Sequence, residues 1–437
     1  MTNKIKTIKG RFKMLSLKAS FLFLLIIVFS FHSLTAGISD QPLFSKDRKD
    51  RNIQSFSRDN SVMIIPIKTQ NGYTGIDEII VTTGNTSARQ RREAQMPARD
   101  NELPFFSLSD EQGKVLYETQ FSFPAARTVP MAQGGRSDGS PDVIPITEPE
   151  AYLVVPYFKE AKFIDIYSPF REIQGASYDL AAIPTSFVFR PRVKQNRDSI
   201  SGMENLSGAK ATSKFYILVI ASGYTSGQMS TFNSKADSLK TYLLSKQPFS
   251  NYSANIVINR YGNTTSLGCA CGCSGISRLM CCTSSKVLSA AAASGYKYDE
   301  IIVLHNTSTY CGGGYRDNNN SYKVNSYNTY TMIYSGTSYK SMGLHEFGHS
   351  FGNLCDEYSY GSEGYTYYPC VNCRAACSDW SSISSTCTVG CDAKPSYYRP
   401  QDSIMLSLSL EYYNTVSINA AYSPDGLNLR LNYFTNR

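Results

Sequence analysis

Residues 343–359 read GLHEFGHSFGNLCDEYS, with His345 and His349 four apart and Glu346 beside the first. In an α-helix this spacing puts both imidazoles on one face, where they can reach a single ion at the ~2.0 Å distance zinc requires. Glu346 then flanks the metal instead of ligating it, and its carboxylate can hold and deprotonate a zinc-activated water. Metal-assisted peptide hydrolysis needs this division of labour: a cation that lowers the pKa of water and polarises the carbonyl, and a carboxylate that carries the proton to the leaving amine. The competing reading is a core helix whose histidines only satisfy hydrogen bonds. With 4 histidines in the chain, composition alone rarely produces this arrangement.

A catalytic zinc site keeps three protein ligands and one open position, so a third donor is expected. Gly352 is predicted to end the helix in a left-handed conformation, which lets the chain reverse and return an oxygen ligand. Metzincin proteases carry a histidine three residues after the corresponding glycine in the pattern HExxHxxGxxH, and Cys355 stands in that slot here. Asp356 is the chosen third ligand, Glu357 is next, and a Cys355 thiolate competes with disulfide formation. Further on, SIML around Met405 resembles the methionine turn beneath metzincin zinc sites, although Met405 reads equally as core. Astacin-like sites place a tyrosine two residues after that methionine, where this chain has Ser407. His305, Tyr310, Tyr412 and Tyr413 remain as candidates for stabilising an oxyanion.

The elements that must position these residues read as alternating strands and helices. FYILVIASGYT is a buried strand and turn, and QMSTFNSKADSLKTYLL carries Phe232, Ala236, Leu239 and Leu243 at helical spacing. ANIVINR, SSKVLSAAAASG and DEIIVLHN continue as strand, helix and strand, so residues 213–437 form an α/β domain with a mixed sheet. Upstream, Val115, Tyr117, Thr119, Phe121 and Phe123 alternate after an acidic, glycine-containing turn, and AYLVVPYFKEAKFIDIYSP and TSFVFRP add short β-rich runs. Residues 104–190 therefore read as an all-β sandwich, 191–212 as a linker, and 38–103 as flexible leader or linker with one strand over Val62 to Ile67. The tyrosine-rich stretch 315–340 reads as surface loops and short strands.

The formal charge is +8, but six positive residues precede the first acid, and the +2 that remains does not suggest a nucleic-acid partner. That basic start runs into FLFLLIIVFSF, about half the ~20 residues a spanning helix needs, so residues 1–37 read as a secretory signal with no stable membrane anchor. All 12 cysteines fall between Cys269 and Cys391, which fits disulfides in a secreted, periplasmic or extracellular protein. The cluster Cys370, Cys373, Cys377, Cys387 and Cys391 reads as disulfide staples on an inserted loop, with a structural zinc site as the alternative.

The stretches ASGYTSGQMSTF, KQPFSNY, DEIIVLHNTSTYCGGGY, GLHEFGHSFGNLCDEY and SIMLSL resemble the IgA-peptidase family of bacterial zinc metallopeptidases, over roughly residues 213–434. The resemblance implies a zincin-type catalytic domain behind an N-terminal β domain. It also implies one catalytic Zn2+ on His345, His349 and Asp356, Glu346 as the base, and a protein or peptide substrate. The cysteine clusters depart from the family pattern and bear on the cleft rim. Two rivals stay open: a retired peptidase scaffold serving as a secreted binding or adhesion protein, and a zinc hydrolase acting on a non-peptide amide.

Overall fold

A computed structural model describes residues 61–70, 73–83, 104–121, 124–128, 143–145, 150–167, 176–188, 214–317, 330–358, 370–391, 394–420 and 426–435. All of them lie in one compact unit, Ile53–Arg437. The signal reading at 1–37 and the linker at 191–212 fall outside the described residues, as does much of the leader.

The fold mixes α and β, with several sheets. FYILVIAS is apolar on both faces because it becomes an interior parallel strand, β1 (Phe215–Ser222), covered on both sides. Its sheet also contains β2 (Ile256–Tyr261), β3 (Glu300–His305), β4 (Gly312–Gly313) and β5 (Tyr330–Tyr334), in the order β2-β1-β3-β5-β4. All neighbours run parallel except the edge pair β4 and β5. Helix α1 (Met229–Ser245) connects β1 to β2 and buries Phe232, Ala236, Leu239 and Leu243, the four residues the helical spacing singles out. Helix α2 (Ser284–Ala293) precedes β3, and α3 (Tyr339–Ser350) follows β5. Two short helices, α4 (Thr415–Asn419) and α5 (Leu427–Thr435), close the described chain. The tyrosine-rich stretch differs from expectation, since Tyr330–Tyr334 is wholly buried. Tyr330 and Tyr334 lie in the sheet and are buried.

Upstream, Ser61–Gln70 pairs with Glu150–Pro156 along one edge and with Ile79–Thr83 and Tyr73–Gly75 along the other. Thr185–Val188 joins parallel to Ile79–Thr83. A second sheet runs in the order Ala176–Asp179, Phe163–Tyr167, Phe105–Ser109, Val115–Gln120. Met63, Ile65 and Ile67 share an apolar cluster with Phe106, Leu108, Ile164 and Ile166 of that second sheet. On the opposite face Val62 and Ile64 join the larger core, and α2 packs against the same strand. Alternate side chains of VMIIPI thus serve two different cores, which explains an apolar run without polar interruption. The strand expected over Val62 to Ile67 forms within Ser61–Gln70, and Tyr73–Gly75 and Ile79–Thr83 are further strands in the stretch read as leader. The expected hairpin forms: Asp110 Oδ1 accepts from Gln112 N at 3.0 Å and Lys114 N at 2.8 Å, and Gly113 takes φ 75°.

The 12 cysteines make six disulfides: 269–282, 271–311, 273–281, 355–370, 373–391 and 377–387. Among the described residues no helix is long and apolar enough to cross a membrane.

Candidate metal centre

Helix α3 is buried along nearly its whole length, from Tyr339 to Ser350, so it has no solvent face to display a simple apolar stripe. Its glycines let it sit close to its neighbours. A Cβ at Gly343 would come within 3.0 Å of Leu239 Cδ1 on α1 and 3.4 Å of Ile333 Cδ1 on β5. One at Gly348 would meet Met405 Sδ at 2.8 Å and Tyr413 Cε1 at 2.9 Å. The sequence expectation of a left-handed Gly352 is corrected by one residue, because Asn353 takes φ 50°. Gly352 is required for a different reason: a Cβ there would lie 2.5 Å from Gly348 O. Asn353 N donates to His349 O at 3.0 Å and Leu354 N to Gly348 O at 3.0 Å, closing the helix and turning the chain back.

That reversal returns Asp356 to the histidines. His345 Nε2 and His349 Nε2 are 3.1 Å apart, and Asp356 Oδ1 lies 3.1 Å from the first and 3.2 Å from the second. The three atoms form a nearly equilateral triangle, fully buried. Ligands about 2.0 Å from a tetrahedral zinc stand roughly 3.3 Å from one another, so the donor set fits one face of such a coordination sphere. Each Nδ1 faces a backbone carbonyl, Ile404 O at 2.8 Å for His345 and Leu354 O at 2.7 Å for His349. A carbonyl only accepts, so Nδ1 carries a hydrogen in each ring and both Nε2 atoms point into the triangle.

The electrostatics suit a cation. Burial alone pulls the His345 pKa down, but the Asp356 carboxylate, the Glu346 charge and the Ile404 carbonyl outweigh it and raise it to about 9. Burial pushes Asp356 up, and the two imidazoles hold its carboxyl far below the usual carboxylate range. The cluster stabilises positive charge at its centre, whether carried by a proton or by a metal.

The other candidates are engaged elsewhere. Cys355 is bonded to Cys370. Glu357 is buried, with its carboxylate held by Asn372, Ser403 and Asn414. Burial raises its pKa to about 7 against the pull of those three donors. Met405 sits in a tight turn, with Leu406 N and Ser407 N both donating to Ser403 O at 2.9 and 3.1 Å. Its sulfur rests against α3 at Gly348.

Of the residues considered for an oxyanion, Tyr413 is buried and its hydroxyl donates to Leu344 O on α3. Tyr412 is about half exposed. His305 sits at the end of β3, with Nδ1 3.1 Å from Ser222 Oγ. Tyr310 packs edge-on against Tyr334 at 5.3 Å. Burial raises its phenol pKa, and the Glu346 charge raises it further. Asn372, Ser403, Asn414 and the carbonyl of Ile404 are not singled out by the sequence. They belong to no motif and lie 15 to 59 positions from their partners.

No curated protein matches the chain. Residues 204–377, which contain α3 and Asp356 and end before the Met405 turn, match the family described as IgA Peptidase M64, a peptidase family and the one the sequence resembles.

Proposed function

We propose that the protein is an exported zinc metallopeptidase that hydrolyses peptide bonds in a protein or peptide substrate. The observation that carries this reading is the triangle of His345 Nε2, His349 Nε2 and Asp356 Oδ1, with edges of 3.1, 3.1 and 3.2 Å. A zinc ion held there would supply Lewis acidity, lowering the pKa of water and polarising the scissile carbonyl.

The chain's own groups do the rest. The rings of His345 and His349 are held in orientation by Ile404 O and Leu354 O, so a cation can take the place of the His345 proton without turning either ring. Glu346, fully buried and next to the first imidazole, takes the proton of the attacking water and returns it to the leaving amine. Tyr310, whose pKa feels the Glu346 charge, is the oxyanion candidate this reading favours.

The two upstream sheets that share one cluster are read as a β-sandwich preceding a zincin-type domain. Residues 1–37 are read as a secretory signal, consistent with six disulfides.

The test is a pair of variants assayed for zinc content and for cleavage of unfolded casein. Glu346→Gln keeps the metal and the fold and loses hydrolysis by several orders of magnitude, whereas His349→Ala loses the metal. Full activity in the glutamine variant would refute the assignment.

A further inference from the structure

Glu357 takes no place in the donor triangle, yet it gathers hydrogen bonds from separate stretches of chain. Its Oε1 accepts from Asn372 Nδ2 at 3.1 Å and from Asn414 Nδ2, and its Oε2 accepts from Ser403 Oγ at 2.8 Å. Its backbone N–H donates to Met405 O at 2.9 Å. Each partner is itself anchored. Asn372 grips the backbone of Cys355, donating to its carbonyl at 2.8 Å and accepting from its N–H at 2.9 Å. Ser403 Oγ accepts from Met405 N at 3.1 Å, and Asn414 donates to Gln401 O at 2.9 Å.

Asp356 is therefore the middle residue of a tripeptide fixed at both ends. Cys355 is held by Asn372 and by its disulfide to Cys370. Glu357 is held by Asn372, Ser403 and Asn414. Burying a carboxylate is expensive, and an apolar residue of similar size would fill the space at less desolvation cost. It would also strand two amides and a hydroxyl and uncouple three segments.

We propose that Glu357 is a positioning residue for the metal centre. By joining segment 355–357 to the Met405 turn and to Asn372, it fixes where Asp356 Oδ1 lies against the imidazoles. Through the turn that bears Ile404 O, it also fixes the orientation of His345. A constellation of this kind tolerates displacements of only about 0.5 Å. This inference rests on the metal-site reading above.

The experiment is a titration of the metal-stripped full chain with Co2+, followed by the visible absorption bands that report coordination geometry. Wild type binds with bands of tetrahedral type. Glu357→Gln keeps the size and swaps one acceptor for a donor facing Ser403; it is expected to fold, to bind Co2+ roughly 10–100-fold more weakly and to show shifted bands. Ser403→Ala breaks the same bond from its other end and moves both readouts in the same direction. If Glu357→Gln does not fold, Ser403→Ala alone carries the test. Ile65→Val, a core trim in the upstream cluster that Ile65 shares with Phe106 and Leu108, serves as the control for mere destabilisation: it lowers thermal stability and leaves affinity and bands at wild-type values. Wild-type affinity and bands in both Glu357→Gln and Ser403→Ala overturn the proposal, as does an equal loss in Ile65→Val. A wild type that binds no Co2+ sinks the metal-site reading itself.

Discussion

Gly348 lies between the two histidines of α3, and replacing it with alanine sets two known effects against each other. In a helix interior, Gly→Ala stabilises by about 1 kcal/mol through backbone entropy. Here the added methyl would stand 2.8 Å from Met405 Sδ, 2.9 Å from Tyr413 Cε1 and 3.2 Å from Tyr413 Oη. Ordinary apolar contacts lie at about 3.5–4.0 Å, so the neighbours must retreat by roughly 0.7–1 Å. Neither retreats freely. The Tyr413 hydroxyl is bonded to Leu344 O and its ring packs edge-on against Phe249 at 6.2 Å. Met405 is tied by its N–H to Ser403 Oγ at 3.1 Å and by its carbonyl to Glu357 N at 2.9 Å.

Overpacking of this kind costs about 1–3 kcal/mol, so the net change at Gly348 is destabilising by about 0–2 kcal/mol. Thermal melts should then fall by a few degrees, at about 2–4 °C per kcal/mol for a domain of this size. Gly343→Ala is the internal comparison. Its methyl meets only the side-chain ends of Leu239 and Ile333, at 3.0 and 3.4 Å, so it should melt several degrees above Gly348→Ala. Metal affinity should also drop in Gly348→Ala, because displacing Met405 drags Ile404 O away from His345. A rise of about 2–4 °C in Gly348→Ala, the propensity gain undiminished, would refute the close packing on which the site's geometry rests.

Two further outcomes follow from the same contacts. Replacing Cys355 and Cys370 together with serine opens a loop with a sequence separation of 15. In the chain-entropy account this costs about 3 kcal/mol, so calorimetry should show lower stability and stopped-flow chelation should show faster metal loss. Unchanged metal loss would mean that the staple does not brace Asp356. Tyr413→Phe removes one buried hydrogen bond to Leu344 O, worth about 1 kcal/mol, and should lower the melting temperature slightly while leaving the turnover rate near wild type. Turnover slowed by two orders of magnitude or more would make Tyr413 a transition-state donor instead.

Local pattern was the legible part of this chain. The spacing of Phe232, Ala236, Leu239 and Leu243 predicts α1, and the strands around it read from their unbroken apolar runs. Residue types and spacing also single out His345, Glu346 and His349. What stayed hidden depends on packing between distant segments. Tyr330–Tyr334 looks polar and exposed in sequence because aromatic hydroxyls and neighbouring asparagines mask a strand whose five residues are all buried. VMIIPI reads as an isolated strand in a linker, since nothing in its sequence says that α2 covers one face and a second sheet the other. The left-handed residue is Asn353 and not Gly352, because the glycine is consumed by its close approach to Gly348 O. Asp356 is preferred to Cys355 and Glu357 already in sequence, but Asn372, Ser403 and Asn414, which hold Glu357, carry no motif.

The most direct test of the central claim is the anomalous difference map of a crystal grown with Zn2+ and measured at the zinc edge. One strong peak is expected about 2.0 Å from His345 Nε2, His349 Nε2 and an oxygen of Asp356, with Glu346 beside it and Glu357 turned away. A map with no peak between these residues, or a peak ligated by Glu357 in place of Asp356, would contradict it.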